Sequence, residues 1–166
     1  NNILSEIIWH PDFKKIDVGK IKKVFNKLFE IKAFNGEVDI EDEGVFRWNK
    51  YHGKNVHEKT TDIVPIKLNT KFGVFLSFES DAEDFPDGTK TAVKYRWKTP
   101  TMHYKNGVEV KNKGYISYPK IGRETSFLYH LNMDRELIEG EWKLEILTLD
   151  DKVLYEKTFY TKPISS

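Results

Sequence analysis

The amino-acid sequence predicts a mainly β protein, an antiparallel β-sandwich preceded by one N-terminal amphipathic helix. Three observations carry this. From Glu37 onward, apolar and polar residues alternate with a period of two, the pattern of half-buried strands. Turn signals separate these runs at short spacing, with no helical pattern among them. Aromatics make up 14% of the 166 residues, with eleven Phe, eight Tyr and four Trp, a composition that suits a pleated surface.

Residues 1–13 contain Trp9, His10, Pro11 and Phe13 and read as an irregular lead-in. A helix is expected over about residues 17–33. Asp17 is a suitable N-cap, with Ile16 and Ile21 placed as a hydrophobic staple. Val18, Ile21, Val24, Phe25, Leu28 and Phe29 fall on one side, opposite Lys20, Lys23, Lys27 and Glu30. Asn35-Gly36 ends the element.

Val38 and Ile40 then alternate with acidic residues, and Gly44 marks a bulge or bend before Val45-Phe46. A polar, aromatic loop is expected from Trp48 to Lys59. Thr60 to Leu68 reads as a short edge strand, because Pro65 cannot donate to a ladder. Phe72, Val74, Leu76 and Phe78 form one inward face, and Val93, Tyr95 and Trp97 another. Lys94, Arg96 and Lys98 then give the second strand a basic outer side. Asn106-Gly107 predicts a type I′ hairpin, which needs positive φ at both positions. Phe127, Tyr129, Leu131 and Met133 are expected inward, followed by Trp142, Leu144 and Ile146. Asp150-Asp151 turns the chain into a last strand, Val153 to Thr161. Trp97 and Trp142 are large enough to fill the space between two sheets. The whole reads as a single domain, residues 1–35 an extension and residues 36–162 the sandwich.

Several motifs stand in order along the second part: Gly44-Val45-Phe46, Thr60 to Pro65, Phe72-Gly73-Val74, Trp97-Lys98-Thr99-Pro100 and Ile121-Gly122. Arg135 to Trp142 follows, with its Glu-Leu-x-x-Gly-x-Trp run. Over about residues 36–162 the chain resembles an uncharacterised bacterial family of domains of unknown function, number 3859, with an immunoglobulin-like β-sandwich. The resemblance implies a fold and no activity. It implies backbone-geometry roles for Gly44, Gly122 and Gly140 and a core place for Trp142.

Composition narrows the chemistry. The sequence contains no cysteine, which excludes disulfides, thiolate metal sites and cysteine nucleophiles. The net charge is +1, so no global pull toward nucleic acid exists. Lys14 to Lys32 holds seven Lys against Asp17 and Glu30, making a basic segment beside a mildly acidic body. A lysine-faced helix is how an interfacial membrane helix looks, and also how a helix packed on a sheet looks. No apolar run reaches spanning length, and no secretory signal pattern stands at the start. The composition is compatible with a cytoplasmic or an exported chain.

No nucleophile elbow is found, and no catalytic residue is assigned. The leading reading is a non-catalytic binding or interaction domain for a protein or glycan ligand, without a cofactor. Trp48, Tyr51 and His52, and farther on Tyr115 and Tyr118, could offer flat rings beside polar groups to such a ligand. An alternative is a metal-dependent hydrolase: His52 and His57 with a carboxylate could hold zinc, although they do not form His-Glu-x-x-His. Asp81, Glu83, Asp84 and Asp87 could supply oxygen ligands, but their spacing is not that of a calcium loop. A further alternative is a membrane-surface protein docked by residues 14–32. A long edge strand would also permit pairing of two copies across a two-fold.

Overall fold

A computed structural model describes residues 31–164. Among the described residues there are ten strands: β1 (Lys32–Ala33), β2 (Glu37–Asn49), β3 (Lys54–Lys59), β4 (Ile63–Pro65), β5 (Lys71–Glu79), β6 (Thr91–His103), β7 (Glu109–Ser117), β8 (Glu124–His130), β9 (Gly140–Leu147) and β10 (Val153–Lys162). A 3₁₀ turn, Asp134–Glu136, lies between β8 and β9. One sheet has the order β1-β6-β9-β10-β4, with β7 also paired to β6; the other has the order β3-β2-β5-β8. Pairing is antiparallel except for β1 on β6 and β4 on β10.

The predicted alternation becomes the space between the sheets. Phe72, Val74, Leu76 and Phe78 of β5 are fully buried, as are Trp142, Leu144 and Ile146 of β9. Rings from opposite sheets meet directly: Phe72 lies 5.4 Å from Trp97, 5.7 Å from Trp142 and 5.4 Å from Phe159, each edge to face. Such pairs add to the area they bury. The Trp142 indole would be costly to bury unpaired, and its Nε1–H donates to Thr161 Oγ1 at 2.9 Å. Thr161 in turn donates to the Ile138 carbonyl at 2.7 Å, which ties the chain leading into β9 to β10.

Several expectations need correcting. Residues 17–30 of the expected helix lie outside the described residues. Its last part is not helical, because Lys32 and Ala33 pair in parallel with Thr91 and Ala92. Ile31 and Phe34 flank this short strand and are buried, and sheet contacts override the helical spacing there. The stretch from Trp48 to Lys59 is a hairpin rather than a loop: β2 runs to Asn49, residues 50–53 turn, and β3 returns. Gly44 lies between two register shifts, Ile40/Asp42 against β5 and Val45/Phe46 against β3.

The Asn106-Gly107 hairpin forms, but with a different turn. Only Gly107 takes positive φ, while Asn106 uses its side-chain oxygen to accept the Val108 N–H at 3.1 Å. Gly107 N donates to the Tyr104 carbonyl, and Tyr104 N donates to Val108 O. This is a type I turn followed by a residue in the left-handed region, the usual three-residue solution. Met133 is exposed rather than inward, because the chain leaves the β8 pairing after His130 and tightens into the 3₁₀ turn.

The outer side of β6 is not the open basic stripe that alternation predicts. Lys94 is fully buried and ion-paired with Asp151. Burial pulls the Lys94 ammonium below the usual lysine range, against the opposing pull of Asp151. Arg96 and Lys98 both reach Glu145 Oε1, at 3.0 and 3.1 Å. Burial pushes the Glu145 carboxyl up, yet the Lys98 hydrogen bond and the two cations together hold it below the usual carboxylate range. These cations are consumed within the sheet.

Candidate functional site

The candidate ligand residues separate into different places. Trp48 and Phe46 are two apart on β2 and so share a face. Phe46 is buried there, stacked on Phe75 at 4.4 Å, while the Trp48 indole is 55% exposed. The Lys71 ammonium lies 5.4 Å from the Trp48 ring and donates to Asn55 Oδ1 at 2.9 Å. Asn55 sits directly across from Trp48 on β3. The indole is thus positioned by its cross-strand neighbour and by a cation over its face.

Trp48 lines a groove of about 1120 Å³ at one end of the sandwich. Strands β2 and β3 form one side. The other is built from β4, the 66–70 connection and the chain after β10, with His130 at the end of β8. Its apolar part is made by Val45, Ile63, Pro65, Leu68 and Ile164. Its polar part is dominated by cations: Arg47, Lys59, Lys67, Lys71 and Lys162, with Glu58 the one carboxylate in the lining. His130 is held below the usual histidine range by burial and by the Lys71 charge.

Tyr51 and His52 occupy the hairpin tip beside this groove without lining it. Both backbone N–H groups donate to Asn49 Oδ1, at 2.9 and 3.2 Å, so Asn49 shapes the turn. Tyr51 is 86% exposed. Tyr115 borders a separate, smaller cleft of about 280 Å³ between β7 and β8, with its ring 5.4 Å from that of Tyr95. Tyr118 follows the end of β7, is half-buried and lines neither hollow.

The smaller cleft ends on a closed polar network. Glu136 is buried, and its Oε1 accepts the backbone N–H groups of Asn132 and Met133 at 3.0 and 2.9 Å. Its Oε2 accepts the Tyr129 hydroxyl at 2.6 Å and lies 3.8 Å from Lys113 Nζ. Every oxygen has partners, so the network secures the turn before β9.

The metal candidates are dispersed. His57 lies in β3, where Nε2 faces the Glu43 carbonyl at 3.0 Å and Thr60 Oγ1 at 3.1 Å. Its Nδ1 is 3.7 Å from Asp42, and its ring packs edge-on against Phe46 at 5.4 Å. His52 is on the turn instead. Asp84 is tied to Lys32, and Asp87 to Arg123 at 3.0 Å; Asp81 and Glu83 are exposed in the same connection. Among the described residues no three His, Asp or Glu side chains converge as metal ligands would.

Sequence reasoning found Trp48 but missed the cations and aliphatics around it. They come from β2, β3, β4, the 66–70 connection, β5, β10 and the chain after it, and no motif joins them. One signal was available: residues 47–71 hold six Lys and Arg against Glu58 and Asp62, in a chain of net charge +1.

Two facing sheets with this core define an immunoglobulin-like β-sandwich. An immunoglobulin-like protein from Pseudomonas aeruginosa has a similar structure, with a TM-score of 0.57 and 25% sequence identity, over 76% of this chain and 98% of that one. The chain belongs to the family described as Domain of unknown function (DUF3859), whose family model matches residues 39–161. No curated protein matches it. Among the described residues no helix is long and apolar enough to cross a membrane.

Proposed function

We propose that this protein is a non-catalytic binding domain whose ligand, a protein or a glycan, is seated in the groove beside Trp48. The observation that carries the reading is the Trp48 indole, more than half exposed, held under Lys71 and opening into a concave surface. An exposed large aromatic fixed by its neighbours loses little conformational freedom on binding, which is the property of an interface anchor. Tyr51 stands at the adjacent hairpin tip and extends the surface without lining the groove.

The test is alanine replacement read on peptide and glycan arrays, followed by titration of whatever binds. Trp48→Ala should cost about 2 kcal/mol, or about thirtyfold in affinity, as loss of a central aromatic anchor does. Tyr51→Ala should cost about threefold or less, since a rim contact contributes little. Binding indifferent to Trp48→Ala would place the ligand elsewhere on the sandwich.

A further inference from the structure

The groove has a chemical character that narrows its ligand, an inference that rests on the binding reading above. Five cations line it against one carboxylate. Lys71 is engaged with Asn55, and Lys162 lies 3.4 Å from Glu139. Among the described residues, Arg47, Lys59 and Lys67 have no carboxylate within ion-pair distance. Several cations elsewhere do have an acidic partner, among them Arg96, Lys98, Lys113, Arg123 and Lys143. Among the described residues, positive charge therefore exceeds negative charge in this groove. A concave wall of one sign focuses its field on whatever enters.

The apolar component selects among anionic ligands. Ile63, Leu68 and Ile164 are large aliphatic side chains exposed along the same groove. Sugars are held by flat aromatic faces and by planar polar side chains. Here Trp48 is the one exposed ring in the lining, and a lysine already lies over it. Single-stranded nucleic acid would want successive rings for successive bases. Exposed aliphatics interleaved with lysines instead complement a chain that alternates carboxylates with apolar side chains. The groove also runs past β3 and β4, the terminal strands of the two sheets, where an extended chain could add backbone hydrogen bonds.

We infer that the groove takes an extended acidic peptide segment bearing apolar side chains, its carboxylates on Arg47, Lys59 and Lys67 and its apolar groups on Ile63, Leu68 and Trp48.

The experiment uses the full chain and fluorescence anisotropy. The probe is a fluorescein-labelled peptide of about twelve residues that alternates Glu with Leu and Ser. Comparison probes carry Lys for Glu or Ser for Leu, and an oligogalacturonate supplies carboxylates on a sugar backbone. The acidic–apolar peptide should bind, and its affinity should fall about tenfold between 50 and 200 mM salt, as exposed charge pairs are screened. The Lys peptide should not bind, and the Ser peptide should bind at least fivefold more weakly. The double replacement Lys59→Ser and Lys67→Ser should weaken binding about tenfold while leaving the melting temperature unchanged. Tighter binding of the oligogalacturonate, affinity independent of both lysines, or no binding of the acidic peptide near 1 mM would each overturn the peptide inference. In those cases a Trp48-dependent interaction with another probe would leave the binding reading standing. Loss of Trp48 dependence for every probe would remove both.

Discussion

At the scale of single residues, the polar groups inside this sandwich decide more than the apolar ones. Glu136 is the clearest case, because it joins two backbone N–H groups of its own turn to Tyr129 of β8 and Lys113 of β7. Replacing Tyr129 by Phe removes one of these links and leaves the carboxylate partly unsatisfied. The cost should be about 1–2 kcal/mol, the usual price of a lost bond to a buried charged group. Urea unfolding would show it as a lower midpoint at an unchanged slope. A change below about 0.3 kcal/mol would mean that Lys113 alone compensates the carboxylate. None of this was legible beforehand: Glu136 sits in a motif whose glycine and tryptophan could be read, while its own partners on β7 and β8 could not. Lys94 teaches the same lesson in reverse. Alternation placed it on an open basic stripe, whereas the folded chain buries it and pairs it with Asp151 from another hairpin.

At the scale of elements, the central ladder depends on two glycines that face each other. Gly44 of β2 pairs with Gly73 of β5, both at positive φ. A Cβ on Gly73 would collide with the Phe127 carbonyl of β8, and one on Gly44 with the Lys59 carbonyl of β3. These are backbone atoms in neighbouring strands, so neither can swing aside. Gly73→Ala should therefore destabilise the fold by about 3 kcal/mol or more, combining a strained φ with a backbone clash. Thermal melting would report it, and a loss below about 1 kcal/mol would show that β8 can shift to make room. Strand existence was legible because alternation is local. The β1 strand was not, since two residues carry no period and their pairing partner lies about sixty residues away. Likewise Asn106-Gly107 announced a hairpin, while the turn type followed from which residue could satisfy Val108 N–H.

At the scale of the whole molecule, both sheets carry buried or half-buried phenols that should govern its behaviour in alkali. Burial, with a smaller contribution from Tyr115, pushes Tyr95 up to about 12. Burial pushes Tyr129 and Tyr155 higher still, reinforced by their hydrogen bonds to Glu136 and Glu43. In the unfolded chain tyrosine titrates near ~10. Above that pH the unfolded state releases protons that the folded state keeps, so stability should fall as pH rises past about 10 and be unaffected by these groups below it. Urea midpoints at pH 8, 10 and 11, with tyrosinate absorbance followed in parallel, would check this. Ionisation of these three tyrosines near pH 10 in the folded protein, without loss of stability, would contradict it. The Tyr155 bond also joins β10 of one sheet to Glu43 of β2 in the other, so Tyr155→Phe should flatten the alkaline slope.

By itself the sequence determined most of the inward-facing side chains of the long strands, because a strand turns each successive residue to the opposite side. It thereby determined the sandwich and the enclosure of Trp142. Only the tertiary structure decided that Trp48 opens on a groove with Arg47, Lys59 and Lys67, and that the lysines of β6 are already committed to carboxylates. Those relations join side chains from strands far apart in sequence, and their distances are set by how two sheets stack and where the strands end, which no local period encodes.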